Sequence, residues 1–162
     1  MGSILAYELY YKTCEMGGRK PKHIFFSGYG SPSVVRKSEN IYNLSDNDFL
    51  KKVMELGGTP EELINNKELL EIFLPIIRND FKILELYKYK ERENKIECDV
   101  SILNGKKDSI SLVEILAWRK HVCRGFRVYN FEGNHFFINS NIQNITSIIN
   151  DILVGKTYEN IN

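Results

Sequence analysis

Asp108 and His135 are the two side chains whose types and placement suit chemistry. Each follows an apolar run that reads as a buried strand. Cys98 to Leu103 ends at Asn104-Gly105 and leads to Asp108; the strand over 126–131 ends at Glu132-Gly133-Asn134 and delivers His135. In open α/β sheets, sites collect beyond the carboxyl ends of parallel strands. An acid after one strand and a histidine after the next form the supporting half of a nucleophile–His–acid triad. The acid would accept a hydrogen bond from one imidazole nitrogen, leaving the other as a general base. Two plainer roles stand beside these: Asp108 as a helix cap ahead of Ile110, and His135 as a turn residue.

The remaining chemical candidates are weaker. His23 opens a strand and His121 closes a helix, where a positive charge suits the dipole. Ser27, Gly28 and Gly30 suggest a phosphate loop, but no Lys-Ser/Thr pair follows. Trp118 and Phe136-Phe137 read as core, and Asp80 and Glu85 as solvated helix faces. The three cysteines, Cys14, Cys98 and Cys123, lack metal-type spacing and fit free thiols in a reducing cytoplasm.

The chain of 162 residues is 43% hydrophobic and 27% charged, which fits one soluble domain with a real core. Its net charge of +1, with no basic face, argues against a nucleic-acid surface. No apolar run approaches membrane-spanning length, and the first residues lack the pattern of a signal peptide.

These residues must be positioned by an alternating pattern. A helix is expected over 2–16, stopped by Gly17-Gly18, then a doubly buried strand over 23–27 and a loop from Gly28. Residues 33–44 read mostly as loop. Helices follow at 47–56, from Thr59-Pro60 onward, and again from Pro75 to Tyr87. This block over 45–88 has no strand signal and reads as a helical lid inserted between two strands. After the charged connector 88–95 come strand 98–103, helix 111–121, strand 126–131 and helix 142–153. The expected domain is 1–155, with 156–162 as a frayed tail.

Four stretches carry a family likeness: His23 to Gly28 with Ser31-Pro32; Leu56-Gly57-Gly58-Thr59-Pro60-Glu61-Glu62-Leu63; Leu74-Pro75-Ile76-Ile77-Arg78-Asn79-Asp80-Phe81; and Phe131-Glu132-Gly133-Asn134-His135-Phe136-Phe137. On these the chain resembles the type II thioesterases of nonribosomal peptide and polyketide synthesis, including those of the gramicidin and surfactin pathways. They are α/β-hydrolases, so the resemblance implies an α/β fold: the C-terminal half of an α/β-hydrolase, with about three parallel strands, flanking helices and a helical lid insertion. It gives Asp108 the acid role and His135 the base role. In that family the nucleophile elbow reads Gly-His-Ser-Met-Gly, and Met1-Gly2 matches its last two positions. The nucleophilic serine is therefore expected immediately before Met1. Ser3 falls inside the following helix and is a poor substitute.

The resemblance implies hydrolysis of acyl or peptidyl thioesters on the phosphopantetheine of carrier proteins, with no metal or organic cofactor. Lacking the serine, the chain alone is expected to be inactive. The alternative is a non-catalytic binding or assembly module derived from the same fold. Strand 23–27 would be left as an apolar edge without the lysine or proline that usually blunts one, so a homodimer through that edge is expected.

Overall fold

The computed structural model describes residues 1–34, 39–55, 57 and 66–155. The helix expected from Thr59-Pro60 and the tail lie outside these residues. The elements run in the order helix α1 (Gly2–Glu15), strand β1 (His23–Ser27), α2 (Asp46–Glu55), α3 (Lys67–Leu86), β2 (Asp99–Gly105), α4 (Leu112–Leu116), β3 (Phe126–Phe131), α5 (Phe137–Ser140) and α6 (Ile142–Leu153). Two 3-10 turns, Ile41–Asn43 and Ala117–His121, complete the described set.

The three strands form one parallel sheet in the order β1-β2-β3. His23 pairs with Asp99 and Ser27 with Leu103, while Val100 pairs with Phe126 and Gly105 with Phe131. The central β2 is buried from Val100 to Gly105, as a parallel strand covered on both faces should be. β1 differs from expectation. Ile24 and Phe26 are buried while His23, Phe25 and Ser27 are only half-covered.

One face packs on α1, whose Tyr7, Tyr10 and Tyr11 recur at helical spacing and join Ile24, Phe26, Val100, Ile102 and Trp118. Phe26 stacks on Trp118 with ring centroids 4.1 Å apart. The opposite face is covered by Phe137 of α5 and Ile145 of α6 against Leu103 and Phe131. Gly17 takes the left-handed conformation that ends α1, and the Gly18 amide donates to the Thr13 carbonyl at 2.8 Å.

The 46–86 region holds helices and no strand among its described residues. Pro75 does not open a new segment: α3 runs unbroken from Lys67 to Leu86 with Pro75 inside it. Proline removes one intrahelical donor, but this helix is held on both sides of the defect. Asn66 caps its start, accepting from the Leu69 amide at 3.1 Å. In its second half, Arg78 donates to the carbonyls of Tyr42 and Leu44 and to Asp46, each at 2.7 Å, and the Glu85 carboxylate accepts from the Ile41 and Tyr42 amides. Glu85 is thus an anchor and not a solvated face. The end of the block is fastened to α1, because Tyr87 and Arg92 both donate to Glu8 at 2.6 Å.

The expected helix 111–121 divides into α4 and a 3-10 turn. Ser111 and Glu114 form a reciprocal capping box at its start, a motif whose cap contributes about 1 kcal/mol. No helix among the described residues is long and apolar enough to cross a membrane.

Candidate active site

β2 and β3 end side by side, and their loops are laced together. Beyond β2, a turn closes with the Asp108 amide donating to the Gly105 carbonyl at 3.0 Å. Within that turn, the Lys106 amide donates to Phe131 and the Lys107 amide to Gly133, at 2.8 and 2.9 Å. The Lys106 ammonium also pairs with Glu132 across the same junction. The approach is closest at Gly105, where an added Cβ would stand 2.3 Å from the Asn134 carbonyl oxygen and 2.8 Å from that of Gly133. Glycine is needed there because one backbone crosses directly over another.

The His135 loop is fixed from its other side as well. Gly133 has φ of 121°, which side-chain-bearing residues rarely adopt. Asn134 accepts from the Phe136 amide through its side chain and from the Phe137 amide through its carbonyl, both at 3.0 Å. Asn141 Nδ2 donates to the carbonyls of Glu132 and Phe137. Phe137 stacks on Phe131, so the loop is clamped to the sheet it has just left.

This scaffold brings Nδ1 of His135 to 2.9 Å from Oδ2 of Asp108. The carboxylate side chain is 3% exposed and the imidazole 50% exposed. A charged carboxylate so placed accepts an Nδ1–H bond and selects the tautomer whose Nε2 lone pair is free to take a proton. Both sequence-derived candidates therefore meet, across 27 positions, at the carboxyl ends of adjacent strands.

Ser3 takes no part in this pair. It is 8% exposed, and its hydroxyl is engaged with the Ser27 backbone, donating to the carbonyl at 2.9 Å and accepting from the amide at 3.2 Å. His23 lies at the opposite end of β1, 2.9 Å from the Ser101 hydroxyl; burial lowers its pKa. His121 is buried against Ser31, Ser33 and the Tyr7 hydroxyl, and burial pushes its pKa down to about 4. It is therefore neutral, and the expected helix-end cation is not what is found. Burial raises the Cys98 thiol to about 11, and the described residues gather no group of three or more His, Cys, Asp or Glu able to hold a metal.

Two glycines named in the sequence for other reasons prove to be neighbours of His135. Gly28 lies against the imidazole: an added Cβ would be 3.1 Å from Cε1. Its place at the first position after a strand was the available signal. Gly57, beyond the end of α2, comes within reach of the His135 loop, since a Cβ there would be 3.9 Å from Nδ2 of Asn134. A cleft of about 440 Å³ lies elsewhere, lined by Asp46, Lys67, Leu70, Glu71, Leu74, Pro75 and Arg78, and contains neither member of the pair.

Comparison with known proteins accords with this geometry. The family model described as thioesterase domain matches residues 1–153. Linear gramicidin dehydrogenase LgrE of Brevibacillus parabrevis is 36% identical over 94% of this chain and 59% of its own length. Gramicidin S biosynthesis protein GrsT of Aneurinibacillus migulanus is 32% identical over 85% of this chain and 54% of its own. Among solved structures, ClbQ from the colibactin pathway superposes with a TM-score of 0.88 at 30% identity, covering 94% of this chain and 65% of that one. The type II thioesterase BorB from the borrelidin cluster gives 0.81 at 29%, covering 92% and 60%. The chain thus spans less than two thirds of the length of these relatives, and its sheet corresponds to a portion of their α/β-hydrolase fold. It belongs to the thioesterase domain family, and its likeness there is to the type II thioesterases of nonribosomal peptide and polyketide pathways.

Proposed function

We propose that this chain carries the acid and base of a serine thioesterase that releases acyl or peptidyl groups from carrier-protein phosphopantetheine. The observation that supports this reading is the 2.9 Å contact between His135 Nδ1 and Asp108 at neighbouring strand ends. Nε2 of His135 takes the proton of an attacking serine hydroxyl, and the serine oxygen forms an ester as the carbon–sulfur bond breaks. The proton passes to the departing thiolate. Water then attacks the acyl-enzyme with the same nitrogen as base, regenerating the serine and freeing the acid. Asp108 holds the tautomer and stabilises the imidazolium. The 45–88 block serves as the lid at the acyl entrance and meets the carrier protein.

On this reading the nucleophile is the serine of the family's elbow, Ser3 is engaged with Ser27 instead, and residues 1–162 alone are expected to give no turnover. An assay with acyl-carrier protein and acyl-N-acetylcysteamine is expected to give no rate above buffer. A longer protein read in frame through Gly-His-Ser is expected to hydrolyse both. Removing a triad histidine there should cost on the order of 10⁶ in kcat. Activity of the 162-residue chain that disappears on Ser3→Ala would make Ser3 the nucleophile and overturn this assignment. Activity of the longer protein that survives His135→Ala would sink the dyad.

The second reading is a non-catalytic binding or assembly module, favoured by the engagement of the Ser3 hydroxyl with Ser27. For either reading we infer a homodimer across β1, whose only strand partner among the described residues is β2. Light scattering at the monomer mass would refute the dimer.

A further inference from the structure

We propose that Gly28 is a positioning residue for His135: its side-chain-free backbone is the floor on which the imidazole rests while Nδ1 faces Asp108. The catalytic meaning of this rests on the dyad reading above, but the contact itself does not. Gly28 adopts φ of 57°, and a Cβ built there would stand 3.1 Å from Cε1, 3.5 Å from Nδ1 and 3.7 Å from Nε2 of His135. All three distances are to one ring, with Cε1 nearest, so an added methyl group would press on the Cε1 side of the imidazole.

Which partner would yield is decided by how each is held. Gly28 cannot retreat easily. Its amide donates to the Leu103 carbonyl at 3.0 Å, extending the β1–β2 pairing by one residue. The preceding residue, Ser27, is held on its outer edge by the Ser3 hydroxyl. The following one, Tyr29, receives the Trp118 Nε1–H bond at 2.9 Å. The imidazole, by contrast, is half-exposed and has room to tilt. The ring is therefore the element that moves, and its tilt lengthens the bond to Asp108.

A left-handed glycine is also needed for backbone reasons, so the control must carry that cost without the contact. Gly17 supplies it, with φ of 69° and nothing within 4 Å of an added Cβ. The experiment is nitrogen-15 imidazole NMR on the 162-residue chain, with His135 signals assigned by their loss in His135→Gln. In the unaltered protein a nuclear Overhauser contact between the Gly28 α-protons and His135 Hε1 is expected, and its absence would overturn the proposal whatever the variants do. Gly28→Ala is expected to shift both His135 nitrogens and to speed solvent exchange of the Nδ1 proton roughly tenfold, the factor of one charge-assisted hydrogen bond. Gly17→Ala should leave them unchanged. Should Gly28→Ala not fold, Gly28→Asn takes its place, since asparagine tolerates positive φ. A folded Gly28 variant with unaltered His135 signals also overturns the proposal. None of these readouts needs turnover, so a failed dyad reading and a failed floor are told apart.

Discussion

Nε2 of His121 lies 3.0 Å from the hydroxyl of Ser31, a residue 90 positions earlier in the chain. The pair ties the loop after β1 to the turn before β3 in the buried interior. The folded state holds this histidine's pKa at about 4, against 6.5 for the free side chain. The unfolded chain therefore binds a proton that the folded one excludes. His121 contributes its stability fully above pH 6.5, and that contribution is lost as pH falls through 6.5 toward 4. Denaturant midpoints measured across this window should fall with pH, and His121→Gln should flatten the slope. An unchanged slope in the variant would exclude His121 as its source.

Arg78 is expected to hold the segment before α2 in place. Its guanidinium serves two carbonyls and Asp46 and lies 4.2 Å above the Phe49 ring. The Asp46 pair is exposed and contributes little. Hydrogen bonds from a charged group to the carbonyls are each worth about 1.5–3 kcal/mol. Arg78→Ala should raise hydrogen exchange across residues 41–49 by more than tenfold and leave β2 and β3 protected. Uniform loss of protection would mean that α2, α3 and the sheet open together.

Gly105→Ala should destabilise the chain and loosen the His135 loop. The new methyl would meet the Asn134 carbonyl, a backbone atom that can yield only by moving the loop. Overpacking of this kind costs about 1–3 kcal/mol. Thermal denaturation should show it, with Gly2→Ala as control, because nothing lies within 4 Å of a Cβ at Gly2. Equal midpoints for the two variants would contradict the backbone crossing.

The legible parts of this chain were those decided by local pattern. Strand Phe126–Phe131 and helix Ile142–Leu153 have the boundaries that their local patterns imply, and Asp108 and His135 stand beyond strand ends because each follows a short apolar run. The illegible parts were decided by distant partners. Pro75 sits within a helix because Asn66, Arg78 and Glu85 brace the chain on either side. The neutrality of His121 follows from its burial, and the Tyr7, Ser31 and Ser33 side chains packed against it all come from distant parts of the chain. Gly28 offers in sequence no more than a weak phosphate-loop signal, since the ring beside it comes from position 135.

The unequal spans between paired strands carry a consequence for the order in which the sheet assembles. Phe126 stands 26 positions beyond Val100, its partner in β2, whereas Asp99 stands 76 positions beyond His23 in β1. Closing the longer span costs about 1 kcal/mol more chain entropy before any pairing is returned. The β2–β3 unit is therefore expected to form the folding nucleus, with β1 docking after the main barrier. Val128→Ala should slow refolding, while Phe26→Leu should chiefly speed unfolding. The reverse pattern in stopped-flow traces would place β1 in the nucleus.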